Sequence, residues 1–178
     1  MNMVESGYYF GFPHKAEDYP NSKEESQIVL ERMKKPDMEF FTLSDESPRM
    51  PFLDFLSAKG LNTHDYELTQ ITRKSYQIIM EHKGYSNRPR PSQVNLAIQP
   101  AESKTAATPS YPAGHTFQSY LMAYHLSNKY PKYRAEFFRI AKRIADARVS
   151  VGLHYPSDNE SAITLAEKYR DKVSVLAK

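Results

Sequence analysis

The sequence predicts an all-α, single-domain helical bundle. Three observations carry that prediction: apolar residues recur at spacings of three and four through several separate segments, Ser-x-x-Glu caps and Gly or Pro stops bracket those segments, and no stretch alternates like a half-buried strand. A chain of 178 residues suits one core and is short for two, which places one domain at 21–178 behind an irregular arm at 1–20.

The arm is rich in Tyr, Phe and Pro and has no helical period. Its Tyr8, Tyr9, Phe10 and Phe12 are expected to pack on their own core, with a second subunit of a homo-oligomer as the alternative. Ser22-Lys23-Glu24-Glu25 has the form of a capping box, Val29, Leu30 and Met33 follow at helical spacing, and Pro36 stops that helix. A short helix is predicted from Pro51 to Lys59, ending at Gly60. Leu68, Ile71, Ser75, Ile78 and Ile79 mark the first long helix, His64 to His82. Pro89, Pro91, Pro100, Pro109 and Pro112 then break the pattern from Gly84 to Pro112, a connection long enough to be either functional or disordered. Helical period resumes near His115 with Phe117, Leu121 and Tyr124, breaks at Pro131, and runs again from Tyr133 to Gly152. Ser157-Asp158-Asn159-Glu160 is a second capping box, opening a last helix through Ala162, Ala166, Tyr169 and Val173.

Composition excludes several function classes. The net charge of +3 is too small to argue for nucleic acid, and the absence of cysteine removes disulfide frameworks and thiolate metal or redox sites. No apolar run reaches the about 18 residues that span a bilayer, and the N-terminus lacks the order of a signal peptide. The chain as written is therefore expected to be soluble and cytoplasmic, with a mature periplasmic or secreted form as the alternative.

Polar residues appear where core residues belong. The stripe Phe137, Ala141, Ile144 and Val151 leaves a gap that Arg148 fills, and a guanidinium on a buried face needs an anion, whether an internal carboxylate or a ligand. His154 stands between Gly152 and Pro156, and the inward stripe of the last helix, read back from Tyr169, lands on Asp158. By themselves these are a cap and a residue suited to a helix dipole. Together, an Asp one tight turn from an imidazole can fix its tautomer and leave the other nitrogen as nucleophile or base. Pro112-Ala113-Gly114-His115 is either an ordinary turn into a helix or an anion site, where a glycine allows close approach to free amides. Lys83, Arg88 and Arg90 lie within eight residues, as a solvated basic loop or as part of a site.

In order and spacing these residues resemble the type 2 phosphatidic acid phosphatase superfamily, which includes bacterial class A nonspecific acid phosphatases and the vanadium haloperoxidases. Lys83 with Arg90-Pro91, then Pro112-Ala113-Gly114-His115, then Ala147-Arg148 with His154 and Asp158 match its three motifs. Ser110 to Thr116 is most similar to the class A enzymes. The resemblance implies that Lys83, Arg90 and Arg148 hold phosphate, helped by amides at Ala113 and Gly114. It also implies that His154 attacks phosphorus, Asp158 orients it, and His115 protonates the leaving group. The chain departs from the family at Ala113 and Ala147, where serines are usual; Ala113 keeps only an amide for phosphate, with Ser110 or Ser86 as substitute hydroxyls.

The activity implied is a metal-independent acid phosphatase acting on small soluble phosphomonoesters through a phosphohistidine, with phosphate or vanadate as ligands and no cofactor, metal or nucleic acid. The alternatives are a vanadate-dependent haloperoxidase, a catalytically weakened phosphate- or nucleotide-binding module, and an interaction protein built around the Tyr-rich arm. His14, His64, His82 and His125 have no partner at ligand spacing and are expected to be structural or exposed.

Overall fold

The computed structural model describes residues 19–178 and, before them, the backbone of two short strands, β1 (Tyr8–Tyr9) and β2 (Phe12–Pro13). The strands pair antiparallel, Tyr8 opposite Pro13 and Tyr9 opposite Phe12, and lie against the long helix α4 (Asp65–Ser86). They are the one departure from an all-helical pattern among the described residues. The arm aromatics' packing and His14 lie outside those residues.

The remaining α-helices are α1 (Ser22–Arg32), α2 (Met38–Ser44), α3 (Met50–Ala58), the single turn α5 (Pro91–Val94), α6 (Gly114–Lys129), α7 (Arg134–Ser150), α8 (Pro156–Tyr169) and α9 (Val173–Leu176), with 3-10 turns at Pro131–Tyr133 and Arg170–Lys172. The expected helices are present with shifted ends. The long helix runs to Ser86, carrying Lys83 and Gly84, and α2 has no counterpart in the sequence-based assignment, because only seven residues leave too little period to recognise.

Helix α6 is the central element: α4, α7, α8 and α9 all pack on it. Its Phe117, Leu121, Met122 and Leu126 are fully buried beside Phe52, Leu68, Phe137 and Ile144. Each such side chain contributes about 1.5–3 kcal/mol by leaving water. Ser119 and Ser127 are buried on the same helix, their hydroxyls bonded to the carbonyls of Thr116 and Ala123.

Both predicted capping boxes are corrected. The α1 cap is Asn21, whose Oδ1 accepts from the amides of Lys23 and Glu24, while the side chains of Ser22 and Glu25 turn to Arg88. At α8 the capping carboxylate is Asp158, which accepts the Tyr155 amide at 2.9 Å. The long connection is ordered: Ser110 N–H bonds Arg88 O, Ala101 N–H bonds Val151 O, and Ile98 is buried against Val29 and Tyr155. The Tyr111–Pro112 peptide bond is cis. His64 and His125, expected to be structural or exposed, share a carboxylate: both face Glu67, with Lys129 3.1 Å from it. Among the described residues no helix is long and apolar enough to cross a membrane.

Candidate active site

Pieces of chain far apart in the sequence meet at one cavity of about 200 Å³. The last turn of α4 brings Lys83, the following loop Arg90, the start of α6 Gly114 and His115, the end of α7 Arg148, and the α7–α8 turn His154. That turn depends on Gly152, whose φ of +82° is a left-handed conformation that residues with a Cβ disfavour. An added Cβ there would lie 3.0 Å from Met33 Sδ and 3.1 Å from Ile98 Cγ2.

His154 is held at both ring nitrogens. Nδ1 lies 3.0 Å from Asp158 Oδ2 and Nε2 lies 2.9 Å from Arg90 Nη1. A guanidinium can only donate and an ionised carboxylate can only accept, so the proton belongs on Nδ1 and the lone pair on Nε2. Burial first, then the charges of Arg90, Lys83 and Arg148, push the imidazole well below its ordinary range and keep it neutral.

The three cations are all buried. Burial and the neighbouring Arg148 push Arg90 down to about 9, and burial and Arg90 push Lys83 well below the usual lysine range. Arg90 donates to Thr108 O and Leu153 O, and Lys83 Nζ to Pro109 O. Arg148 donates to Asp45 Oδ1 at 3.0 Å and to Thr105 Oγ1 at 3.2 Å, so it meets an internal carboxylate. Its Nε nevertheless has no hydrogen-bond partner among the described residues. A buried donor without an acceptor costs about 1–3 kcal/mol, which an anion in the cavity would relieve.

His115 donates from Nε2 to the Asp45 carbonyl at 2.8 Å, since a carbonyl has no proton to give. Asp45 thus touches two site residues, His115 through its backbone and Arg148 through its carboxylate. Burial and the Arg148 charge push His115 well below the ordinary imidazole range.

Ala113 requires a correction. Its amide donates to Asp158 O at 3.0 Å and is committed to holding α6 against α8, so it is not a phosphate donor in this geometry. Ala113 is the N-cap of α6 and has no capping side chain, so the amides of the first helical turn, beginning at Gly114, receive no side-chain cap from it. Ser110 is equally committed, donating to Asp158 Oδ2 at 2.5 Å. The solvated-loop alternative for Lys83, Arg88 and Arg90 fails, as all three are buried.

Sequence reasoning missed Asp45, Glu25 and the role of Arg88. Asp45 lies 103 residues from Arg148 and has no local signature. Arg88 was visible as the third cation of its loop, and Glu25 as a capping residue, but nothing in their spacing pairs them.

Among the described residues no three His, Asp or Glu side chains are grouped to hold a metal ion. A search of the curated proteins gives no match. The family model for the PAP2 superfamily matches residues 69–166, a stretch that contains every residue lining the cavity from Thr72 to His154 together with Asp158. That match covers more than half of the chain and implies phosphatase-type activity; on it, and on a helical fold that brings the three separated motifs to one cavity, the chain belongs to the PAP2 superfamily.

Proposed function

We propose that the protein is an acid phosphatase of the class A type, hydrolysing small phosphomonoesters through a phosphohistidine. The observation that carries this reading is that His154, held at Nδ1 by Asp158, lines one cavity together with Lys83, Arg90 and Arg148. The phosphoryl group sits among these cations, whose fixed charges stabilise its equatorial oxygens as the reaction proceeds. Nε2 of His154 attacks phosphorus in line with the ester oxygen, the P–O bond breaks, and His115 gives its proton to the departing alkoxide. Water then attacks the phosphohistidine, His115 takes the proton from that water, and the N–P bond breaks to release phosphate. Asp158 keeps the Nδ1 proton in place throughout and balances the charge on the ring.

The pH preference follows from His115. Its Nε2–H donates to the Asp45 carbonyl, so to act as acid it must carry a second proton, on Nδ1. Burial and Arg148 hold its affinity for protons down, and a bound phosphate dianion offsets those cations and raises it. Rates are therefore highest on the acid side of neutrality.

The test is hydrolysis of p-nitrophenyl phosphate between pH 4 and 8 in the presence of chelator, with His154→Ala as control. Turnover by the native protein and none by the variant supports the reading. Activity that survives in His154→Ala overturns the phosphohistidine, and phosphate binding without turnover identifies a binding module instead.

A further inference from the structure

Behind His154 lies a second buried arrangement that the proposed reaction does not use directly. Arg88 is fully buried, and each of its N–H groups has an acceptor. Nη1 donates to Asp158 Oδ1 at 2.8 Å and to Ser157 Oγ at 2.7 Å, and Nη2 to Glu25 Oε2 at 2.7 Å and to Pro20 O at 3.4 Å. Nε donates to Ser22 Oγ at 3.1 Å, and the guanidinium lies 3.7 Å from the centre of the Tyr155 ring. Glu25 is fixed in turn by the Ser157 amide at 2.7 Å and the Ser157 hydroxyl at 2.6 Å.

We infer that Arg88, anchored by Glu25, is a positioning residue for phosphoryl transfer, holding the Asp158 carboxylate by the oxygen that His154 does not use. The division of labour at Asp158 supports this. Oδ2 accepts from His154 Nδ1, Tyr155 N–H and Ser110 Oγ, whereas Oδ1 accepts from Arg88. A carboxylate tied at one oxygen alone can rotate about its Cβ–Cγ bond; tied at both, it presents Oδ2 to the imidazole in one orientation. Arg88 also supplies the positive charge between two buried carboxylates, Glu25 and Asp158, which would otherwise repel one another in a medium of low polarity. Arginine suits the place because its planar fork reaches both carboxylates at once, and a lysine ammonium does not. The catalytic consequence rests on the phosphohistidine reading; the positioning of the His154 ring does not.

The experiment compares the native protein with Arg88→Lys and Glu25→Gln. Steady-state hydrolysis of p-nitrophenyl phosphate is measured beside the proton NMR resonance of His154 Nδ1–H, assigned by its loss in His154→Ala. In Arg88→Lys, kcat is expected to fall about 10- to 100-fold, the range for a small misplacement of a reacting group, with KM little changed because Lys83, Arg90 and Arg148 are untouched. The Nδ1 proton is expected to move upfield as its bond to Asp158 loosens. Glu25→Gln is expected to give a smaller change of the same kind, and decides the matter if Arg88→Lys does not fold. Native kcat and an unmoved resonance in the folded variants overturn the inference, as does a loss carried wholly by KM. A moved resonance in a protein that hydrolyses no ester overturns the hydrolytic reading and leaves the positioning of the ring standing.

Discussion

Arg90 Nη1 donates to His154 Nε2 at 2.9 Å, so the nitrogen that attacks phosphorus in the proposed reaction shares a hydrogen bond with a residue that grips the phosphoryl group. The two roles are linked: Arg90 must turn that N–H to a phosphoryl oxygen before the lone pair can attack. The same guanidinium is fixed by Thr108 O and Leu153 O, which confines the movement to a small rotation. Arg90→Lys keeps the charge and loses the fork. Its kcat/KM for p-nitrophenyl phosphate is expected to fall about 100-fold, the scale of one lost oxyanion donor, measured by steady-state kinetics.

A dianion in the cavity should change the protonation of His115. Burial and Arg148 push that imidazole down, with Lys83 and Arg90 adding to the effect, and two negative charges beside three positive ones remove much of it. Sulfate is a suitable probe because it stays a dianion across the range. NMR titration of the His115 ring is expected to show protonation at higher pH with sulfate than without; an unchanged titration would mean that the cations and His115 do not share the anion.

Stability should depend on pH with a definite sign. His115 and His154 are both held well below the ordinary imidazole range when folded, chiefly by burial, whereas in the unfolded chain they titrate at about 6.5. Above that pH both states are neutral at these rings and stability is unaffected. Below it the unfolded chain takes up protons that the folded one does not, so stability falls as the pH drops. Thermal melts without added anion are expected to show Tm declining from pH 7 to pH 5, and added sulfate should reduce the decline.

Gly152 places His154. Its left-handed φ costs a residue with a Cβ about 1–2 kcal/mol, and the added atom would press on Met33 and Ile98. Gly152→Ala is expected to lower stability by at least that amount in urea denaturation. It should also reduce kcat at pH values where the variant is fully folded, because the turn carrying His154 moves.

Much of the fold was legible in the sequence because it rests on local period. Leu68, Ile71 and Ile79 on α4, and Phe137, Ala141 and Ile144 on α7, are buried where the three-and-four spacing places them. Helix starts were less legible. Ser22 and Glu25 have the residues of a capping box, and the buried charge of Arg88 claims both side chains, leaving the cap to Asn21. A hydrogen bond to a buried cation is worth more than one to an exposed amide, so tertiary demand overrode the local motif.

Periodicity alone was enough for the helical class and for the inward positions of Arg148 and Asp158, since helical period decides which face a residue occupies. The resemblance of the chain's three motifs to those of the superfamily singled out Lys83, Arg90, Gly114, His115 and His154. How those residues are used depends on the packing of the helices. It committed the Ala113 amide and the Ser110 hydroxyl to Asp158, gave Arg148 a partner in Asp45, and joined Glu25 to Arg88 across 63 residues. Hydrogen bonds and ion pairs between distant segments depend on where whole helices pack, and no spacing along the chain encodes that.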